Sequence, residues 1–351
     1  MHTGNKIGYR VKLSVLFIVF LLIQLQGCSI NSTEINKDKT KLILGAYTSP
    51  REAYGKTIIP AFKKYWKEKT GQDVEIQESY QGSGAQSRAI ISGFEADIAA
   101  LSLEADVDKI AEAGLISHDW KSKPYNGMAS TSIVVLAVRQ GNPKAIQDWA
   151  DLTKTGLSIL TPDPKTSGGA QWNINAIYGA VLREFTSTTK NDPVSAQQFL
   201  KDIFKNVSIM DKGARESIIN FEKGIGDVAI TYENEVLVAR QAGQKYDYII
   251  PHSTILIENP VVLIDKYVDK HGVRKVAEAF IEFLLSKETQ LLYAKYGLRP
   301  VDPEVAKTLQ EQFPPVQDLW KIDFLGGWKK VSTDIYGPQG TYTKVIEGLP
   351  R

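Results

Sequence analysis

Residues 157–185, LSILTPDPKTSGGAQWNINAIYGAVLREF, read as strand, turn and helix in a single run. Residues 157–161 are short and apolar, as a strand buried in a parallel sheet is. Two prolines and two glycines then punctuate the chain, and a helical pattern opens at residue 170 and runs to 185. Working outward, the same unit recurs. A strand over 41–47 is followed by a helical pattern over 51–69, with Ile58, Phe62, Tyr65 and Trp66 on one face and Pro60 set to kink it or start a new turn. Further strands are predicted at 73–77, 97–101, 132–138, 207–210 and 227–232. Helices are predicted at 85–91, 215–222 and 273–285, and residues 249–257 are β-rich around Pro251. Strands alternating with helices imply α/β architecture with mostly parallel sheets. Turn signals after residue 138 and around Pro251 suggest that one lobe is inserted into the other.

The 351 residues are 43% hydrophobic and 23% charged. That excludes collagen, a disordered tail and a polytopic membrane protein, and the length suits about two domains. Lysine and arginine number 42 against 40 aspartates and glutamates, a formal +2. No basic excess points to nucleic acid. Cys28 is the only cysteine, so no intramolecular disulfide and no cysteine-based metal site is expected, and none is expected from the scattered His118, His252 and His271.

The first 27 residues stand apart. Lys6, Arg10 and Lys12 precede an apolar run over 13–23 that is interrupted only by Ser14. Those 11 residues are fewer than the ~20 that cross a bilayer. They fit the hydrophobic region of a secretory signal, which ends here in Leu25-Gln26-Gly27-Cys28. This ending resembles the bacterial lipobox, which implies cleavage before Cys28 and its acylation. Without the leader the net charge falls from +2 to −1. Residues 28–40 read as a small, polar, flexible tether.

Three places share one local pattern. Gln81-Gly82-Ser83-Gly84, Thr166-Ser167-Gly168-Gly169 and Lys212-Gly213-Ala214-Arg215 each follow a strand and open a helix. Ligands of α/β sheets bind at the carboxyl ends of strands, and a helix N-terminus offers unpaired N–H groups and a partial positive charge. Glycine allows close approach of the backbone. Any one of these alone reads as a turn with a helix cap. Three together point to a small oxyanion held by amides. Arg215 is expected to support its loop through a salt bridge rather than to meet the anion. Gly224-Ile225-Gly226-Asp227-Val228-Ala229 fits a dinucleotide fingerprint but precedes its strand, so the context fails. No phosphate-binding loop, nucleophile elbow or metal-ligand spacing is present, and no catalytic residue is assigned. Lys63, Lys64, Lys67 and Lys69 read as the solvated face of a helix.

With these runs in view, residues 41–351 resemble the periplasmic sulfate-binding proteins of ABC importers, which also take thiosulfate. The similarity is carried by Gly82-Ser83-Gly84, Glu95-Ala96-Asp97, Gly141-Asn142-Pro143-Lys144, PDPKTSGGAQWN from Pro162 to Asn173, Gly213-Ala214-Arg215, GIGDVAITYEN from Gly224 to Asn234, and KVAEAF from Lys275 to Phe280. It implies an α/β, two-lobed periplasmic binding protein fold of type II, each lobe a mostly parallel sheet flanked by helices. Lobe 1 is expected over 41–138 and 252–351, and lobe 2 over 139–251. The implied ligand donors are the amides of Ser83, Gly168, Gly169 and Ala214 and the hydroxyl of Ser167. Thr48 stands where the family has an aspartate, and Tyr232 where it has a tryptophan; both are expected at the site. The implied role is that of a lipid-anchored extracytoplasmic receptor, a monomer without cofactor or metal, that delivers sulfate or thiosulfate to a membrane permease. A receptor for phosphate, molybdate or a sulfonate is the alternative, and a secreted sulfate- or phosphate-ester hydrolase a further one.

Anchoring is expected to depend on Cys28. The Cys28→Ala chain should remain unacylated and uncleaved by the lipoprotein peptidase, as read by gel mobility and membrane fractionation. Processing and fractionation like those of the parent chain would contradict the lipobox reading.

Overall fold

The computed structural model describes residues 40–186 and 190–349. The expected leader, Cys28 and the tether up to residue 39 lie outside the described residues.

Among the described residues ten strands form one sheet, eight of them in a continuous path. The ten are β1 (Thr40–Tyr47), β2 (Val74–Gln81), β3 (Ile98–Ala100), β4 (Met128–Arg139), β5 (Ile159–Pro162), β6 (Val207–Asp211), β7 (Val228–Tyr232), β8 (Tyr246–Ile249), β9 (Ser253–Leu263) and β10 (Asp318–Trp320). Off the path, β8 pairs with β4 and β10 with β9. The helices that matter here are α1 (Ile59–Thr70), α2 (Ser83–Ile91), α3 (Glu104–Glu112), α4 (Gly168–Leu182), α5 (Pro193–Phe204), α6 (Ala214–Glu222), α7 (Glu233–Gln241), α8 (Arg274–Leu284), α9 (Gly327–Asp334) and α10 (Thr341–Glu347). Each predicted strand and helix is present, with ends shifted by a few residues.

Two parallel groups stand at the ends of the path. β1 pairs in parallel with β2 and β3, and β5 pairs in parallel with β6 and β7. The two long strands β4 and β9 join them. The first half of β4 pairs antiparallel with β9, and from Val134 onward it pairs with β7 and β8. β9 runs the other way, from β10 at Ser253 to β3 at Leu263. Together the two long strands therefore connect the two parallel groups. Pro260 lies within β9, where it has no N–H to donate, and the β4–β9 register shifts opposite it, between Met128 and Ser130. Of the β-rich stretch around Pro251, the residues up to Ile249 form β8 and those from Ser253 form β9.

Two main cores follow the same division. Leu42, Leu44, Ile98, Val261 and Phe280 share one. There, Phe62 of α1 packs 4.7 Å from Phe280 and 5.6 Å from Phe283 of α8. The apolar side of α1 is thus buried, and Lys64, Lys67 and Lys69 face solvent. The helical pattern over 51–69 is interrupted. A wide π turn, Tyr54–Ile58, closes with Ile59 N–H bonded to the Tyr54 carbonyl, and α1 starts with Pro60 in its first turn. Proline has no N–H for the α-type bond, which is why the backbone widens just before it.

The second core holds Val134, Leu136, Trp172, Ile230, Trp320, Trp328 and Tyr342. Trp172 of α4 meets Trp328 of α9 edge-on at 4.7 Å, and Phe204 of α5 meets Tyr342 of α10 at 5.6 Å. The last thirty or so residues thus pack on the second core, a placement that the sequence leaves open for residues 301–351. The chain passes over between Val301, which packs with Val262 and Ile264, and Asp318, which pairs with Ser253. Three tryptophans need a large apolar surface, and α4, buried along most of its length, provides it.

α4 packs so tightly because Gly179 lies against Trp320. A Cβ at residue 179 would sit 2.2 Å from the Trp320 ring. Gly179→Ala is expected to lower stability by about 1–3 kcal/mol, the usual cost of overpacking a filled core. Urea unfolding followed by tryptophan fluorescence would measure it. An unchanged or higher midpoint would show that Trp320 yields without cost.

Candidate functional site

The three glycine-flanked loops lie at the carboxyl ends of β2, β5 and β6, and the structure brings them together. A Cβ on Gly82 would lie 2.5 Å from the Thr166 carbonyl oxygen and 2.8 Å from that of Lys212. The Ala85 N–H donates to the Thr166 carbonyl at 3.2 Å, which ties α2 of lobe 1 to the loop before α4. A Cβ on Gly169 would lie 3.4 Å from the Ala214 Cβ, 3.3 Å from the Ser167 hydroxyl and 2.7 Å from the Tyr232 ring. At Gly213 it would lie 3.3 Å from the Thr48 hydroxyl. Ser83, Ser167, Gly168, Gly169, Ala214, Tyr232 and Thr48 are all buried. All seven residues singled out from the sequence therefore gather in one enclosed place.

The helix starts themselves show why. The residues preceding α2, α4 and α6 are Gly82, Ser167 and Gly213, and none of them gives its helix a side-chain cap. By contrast, Asp192 caps α5 through the Ser195 N–H. An uncapped helix start leaves N–H groups unpaired, and a buried unpaired N–H costs about 1–3 kcal/mol. Three such starts facing each other also bring three partial positive charges to one spot. The arrangement suits an anion that accepts from all of them.

Other contacts hold these groups in place. The Ser83 hydroxyl donates to Asp106 Oδ2 at 2.7 Å and accepts from the Ser102 N–H at 3.0 Å. Its one proton is thus engaged. Lys109 occupies the other Asp106 oxygen at 2.9 Å. The Ser102 carbonyl accepts from Trp172 Nε1 and Asn259 Nδ2. Its hydroxyl lies 2.5 Å from the Tyr232 hydroxyl, a lobe 1 to lobe 2 contact. Burial pushes the Tyr232 phenol well above its usual pKa, so it keeps its proton at neutral pH. Ser102 and Asp106 escaped the sequence reading. Their one signal was position, since Ser102 follows strand β3 at its carboxyl end.

Arg215, next to Ala214, turns away from the loops. It pairs with Glu52 at 2.6 Å and Glu235 at 3.1 Å, the supporting role expected of it. Burial works against its charge, but Glu235 and Glu52 outweigh it and hold the guanidinium above the usual arginine range. Burial holds Glu235 above the usual carboxylate range against the pull of Arg215. Glu52 follows β1 and Glu235 lies in the first turn of α7, so the pairs join the segment after β1 to α6 and α7. The cation is balanced by carboxylates.

The remaining chemical candidates lie elsewhere. His118 pairs with Asp265, His252 with Asp148, and His271 with Asp97 and Glu95. Among the described residues no three His, Cys, Asp or Glu side chains gather as a metal ion requires. Gly224 and Gly226 have φ of +91° and +77° and form the turn into β7.

Residues 44–299 match the family described as bacterial extracellular solute-binding protein. A sulfate-binding protein of Synechococcus elongatus is 47% identical over 311 residues, covering 88% of this chain and 87% of the relative. A thiosulfate-binding protein of Pseudomonas aeruginosa is 36% identical and covers 86% and 90%. Among solved structures, the sulfate-binding protein SubI of Mycobacterium tuberculosis superposes with a TM-score of 0.76 at 34% identity, covering 84% of this chain and 98% of that one. The fold is the two-lobed periplasmic binding protein fold of type II.

Gly82 has φ −56° and ψ 140°, which alanine adopts freely, so Gly82→Ala should fold normally while its methyl group holds the loops apart. Binding of sulfate, the anion named for the relatives, is expected to weaken by about 1–3 kcal/mol, measured by calorimetry. Parent-like affinity would show that the loops need not meet.

Proposed function

The chain belongs to the bacterial extracellular solute-binding proteins, and from that premise we propose that it captures sulfate outside the cytoplasmic membrane and hands it to an ABC permease for uptake. The observation that carries this reading is the meeting of three buried, uncapped helix starts, with Arg215, the cation next to Ala214, taken up by Glu52 and Glu235. In this reading the amides of Ser83, Gly168, Gly169 and Ala214 and the hydroxyls of Ser167 and Tyr232 donate to the anion, and Thr48 lines the wall. Burying an unpaired dianion costs many kcal/mol, and each charge-assisted N–H bond returns roughly 1.5–3 kcal/mol. Several such bonds plus helix dipoles suffice without a formal positive charge at the site.

Thiosulfate is the second ligand, since relatives of both names align along nearly the whole mature chain. The role is that of a receptor rather than a catalyst, in keeping with relatives that are solute-binding proteins. The chain works as a monomer, tethered through acylated Cys28 to the outer face of the membrane, with lobe 1 over 41–138 and most of the first part of 252–351, and lobe 2 over 139–251 together with the C-terminal helices. Donors are split between Ser83 on lobe 1 and the group from 167 to 214 on lobe 2, so the anion holds the lobes closed.

Calorimetric titration tests this. Sulfate is expected to bind more tightly than phosphate, because the backbone amides that make up most of the wall can only donate, and a phosphate proton facing one of them leaves groups unpaired at about 1–3 kcal/mol each. The affinity should be nearly flat from about pH 5 to 8, since none of the histidines of the described residues is at the site. Tyr232→Phe is expected to weaken sulfate by about 1.5–3 kcal/mol, the worth of one bond to a charge. Equal or tighter phosphate binding would overturn the sulfate assignment. An unaffected Tyr232→Phe variant would remove Tyr232 from the donor set and leave the assignment standing.

A further inference from the structure

One pair of side chains at this site has a property that backbone amides lack. We propose that the Tyr232–Ser102 hydroxyl pair lets this protein also take singly protonated oxyanions, hydrogen phosphate among them, at lower affinity than sulfate. The inference deepens the sulfate reading and rests on it.

The two hydroxyl oxygens lie 2.5 Å apart. Each residue is 1% exposed, and each comes from a different lobe. A hydroxyl carries one proton and can also accept. Burial keeps the Tyr232 phenol protonated at neutral pH, so the pair holds two protons. One lies between the oxygens and the other points outward. When Ser102 donates to Tyr232, the tyrosine turns its proton to the anion. The wall then consists of donors, which suits an oxyanion with no proton. When Tyr232 donates to Ser102, a lone pair of the tyrosine oxygen is free to accept the proton of a hydrogen oxyanion, and the Ser102 proton becomes the outward donor. Both arrangements keep one hydrogen bond within the pair, so reversal breaks no bond inside it.

The surroundings leave the direction to the ligand. The Ser102 N–H goes to the Ser83 hydroxyl, and the Ser102 carbonyl is taken by Trp172 and Asn259. Asp106, bonded to the Ser83 hydroxyl of the same network, has its other oxygen on Lys109. Neither the hydroxyl proton of Ser102 nor that of Tyr232 is claimed by those groups. The pair also lies against two of the proposed amide donors. A Cβ on Gly168 would sit 2.7 Å from the Ser102 hydroxyl, and one on Gly169 would sit 2.7 Å from the Tyr232 ring.

The test compares sulfate and phosphate affinities by calorimetry at mildly alkaline pH, where phosphate is the monohydrogen dianion. Three proteins are used: the parent chain, Ser102→Ala and Tyr232→Trp. The parent should bind both anions, sulfate the more tightly. Ser102→Ala removes the acceptor that lets Tyr232 reverse, and Tyr232→Trp leaves a donor with no lone pair. Each variant should raise the sulfate-to-phosphate affinity ratio by roughly tenfold, the effect of one unsatisfied buried group. The two substitutions act at different positions and differ in volume, so failure of one to fold leaves the other to decide. A ratio unchanged in a folded variant would overturn the inference, as would a parent chain that binds sulfate and no phosphate. A parent chain that binds neither anion would instead overturn the sulfate reading on which the inference rests.

Discussion

Three helix N-termini aimed at one buried point set the terms for the rest of this molecule. The first turns of α2, α4 and α6 each leave N–H groups without intrahelical partners, and each carries a partial positive charge of about +0.5. Brought together in the dry interior without an acceptor, these ends repel one another and leave several donors unpaired. The same ends around a dianion become a set of charge-assisted bonds. In the proposed reading recognition and closure are one event, because α2 is assigned to one lobe and α4 and α6 to the other. On that proposal the anion turns an unfavourable meeting of like charges into the contact that holds the lobes.

The fold serves this constraint in two ways. β4 and β9 connect the two parallel groups, and β4 changes partner near its midpoint, from β9 to β7, so the groups are joined by extended chain. Side chains then fix the loops, and two of the cations among them are paired. Arg215 is matched by Glu52 and Glu235, and Lys109 by Asp106. A cation left free at the site would bind anions generally, including protonated ones. Balancing it keeps selectivity with the directed donors, and leaves the Tyr232–Ser102 pair as the place where selectivity can relax.

Much of this was legible in the sequence, for local reasons. A strand, a glycine turn and a helix start are written within a dozen residues, so the three loops could be found one at a time and then counted. The alternation of strands with helices carried the architecture. Thr48 and Tyr232 were not found in that way; they came from the resemblance of the surrounding runs. Ser102 and Asp106 escaped because their roles exist only in contacts between distant positions. Ser102 meets Tyr232 130 residues away, and Asp106 meets Ser83 across 23. The placement of the C-terminal helices escaped for a similar reason. Trp320, Trp328 and Tyr342 are apolar enough for either core, and only the buried surface of α4 and its glycine at 179 decide which one they join. The π turn before Pro60 was half legible, since proline forbids one hydrogen bond but does not say how the backbone makes up for it.

The central claim is that backbone amides hold the anion and that no charged side chain does. A crystal structure of the protein grown with sulfate measures this directly. The account expects one sulfate among the three helix starts, its oxygens about 2.7–3.1 Å from the N–H nitrogens of Ser83, Gly168, Gly169 and Ala214, with no lysine or arginine nitrogen touching it. A sulfate held by a lysine or arginine side chain, or one that binds away from these amides, would contradict it.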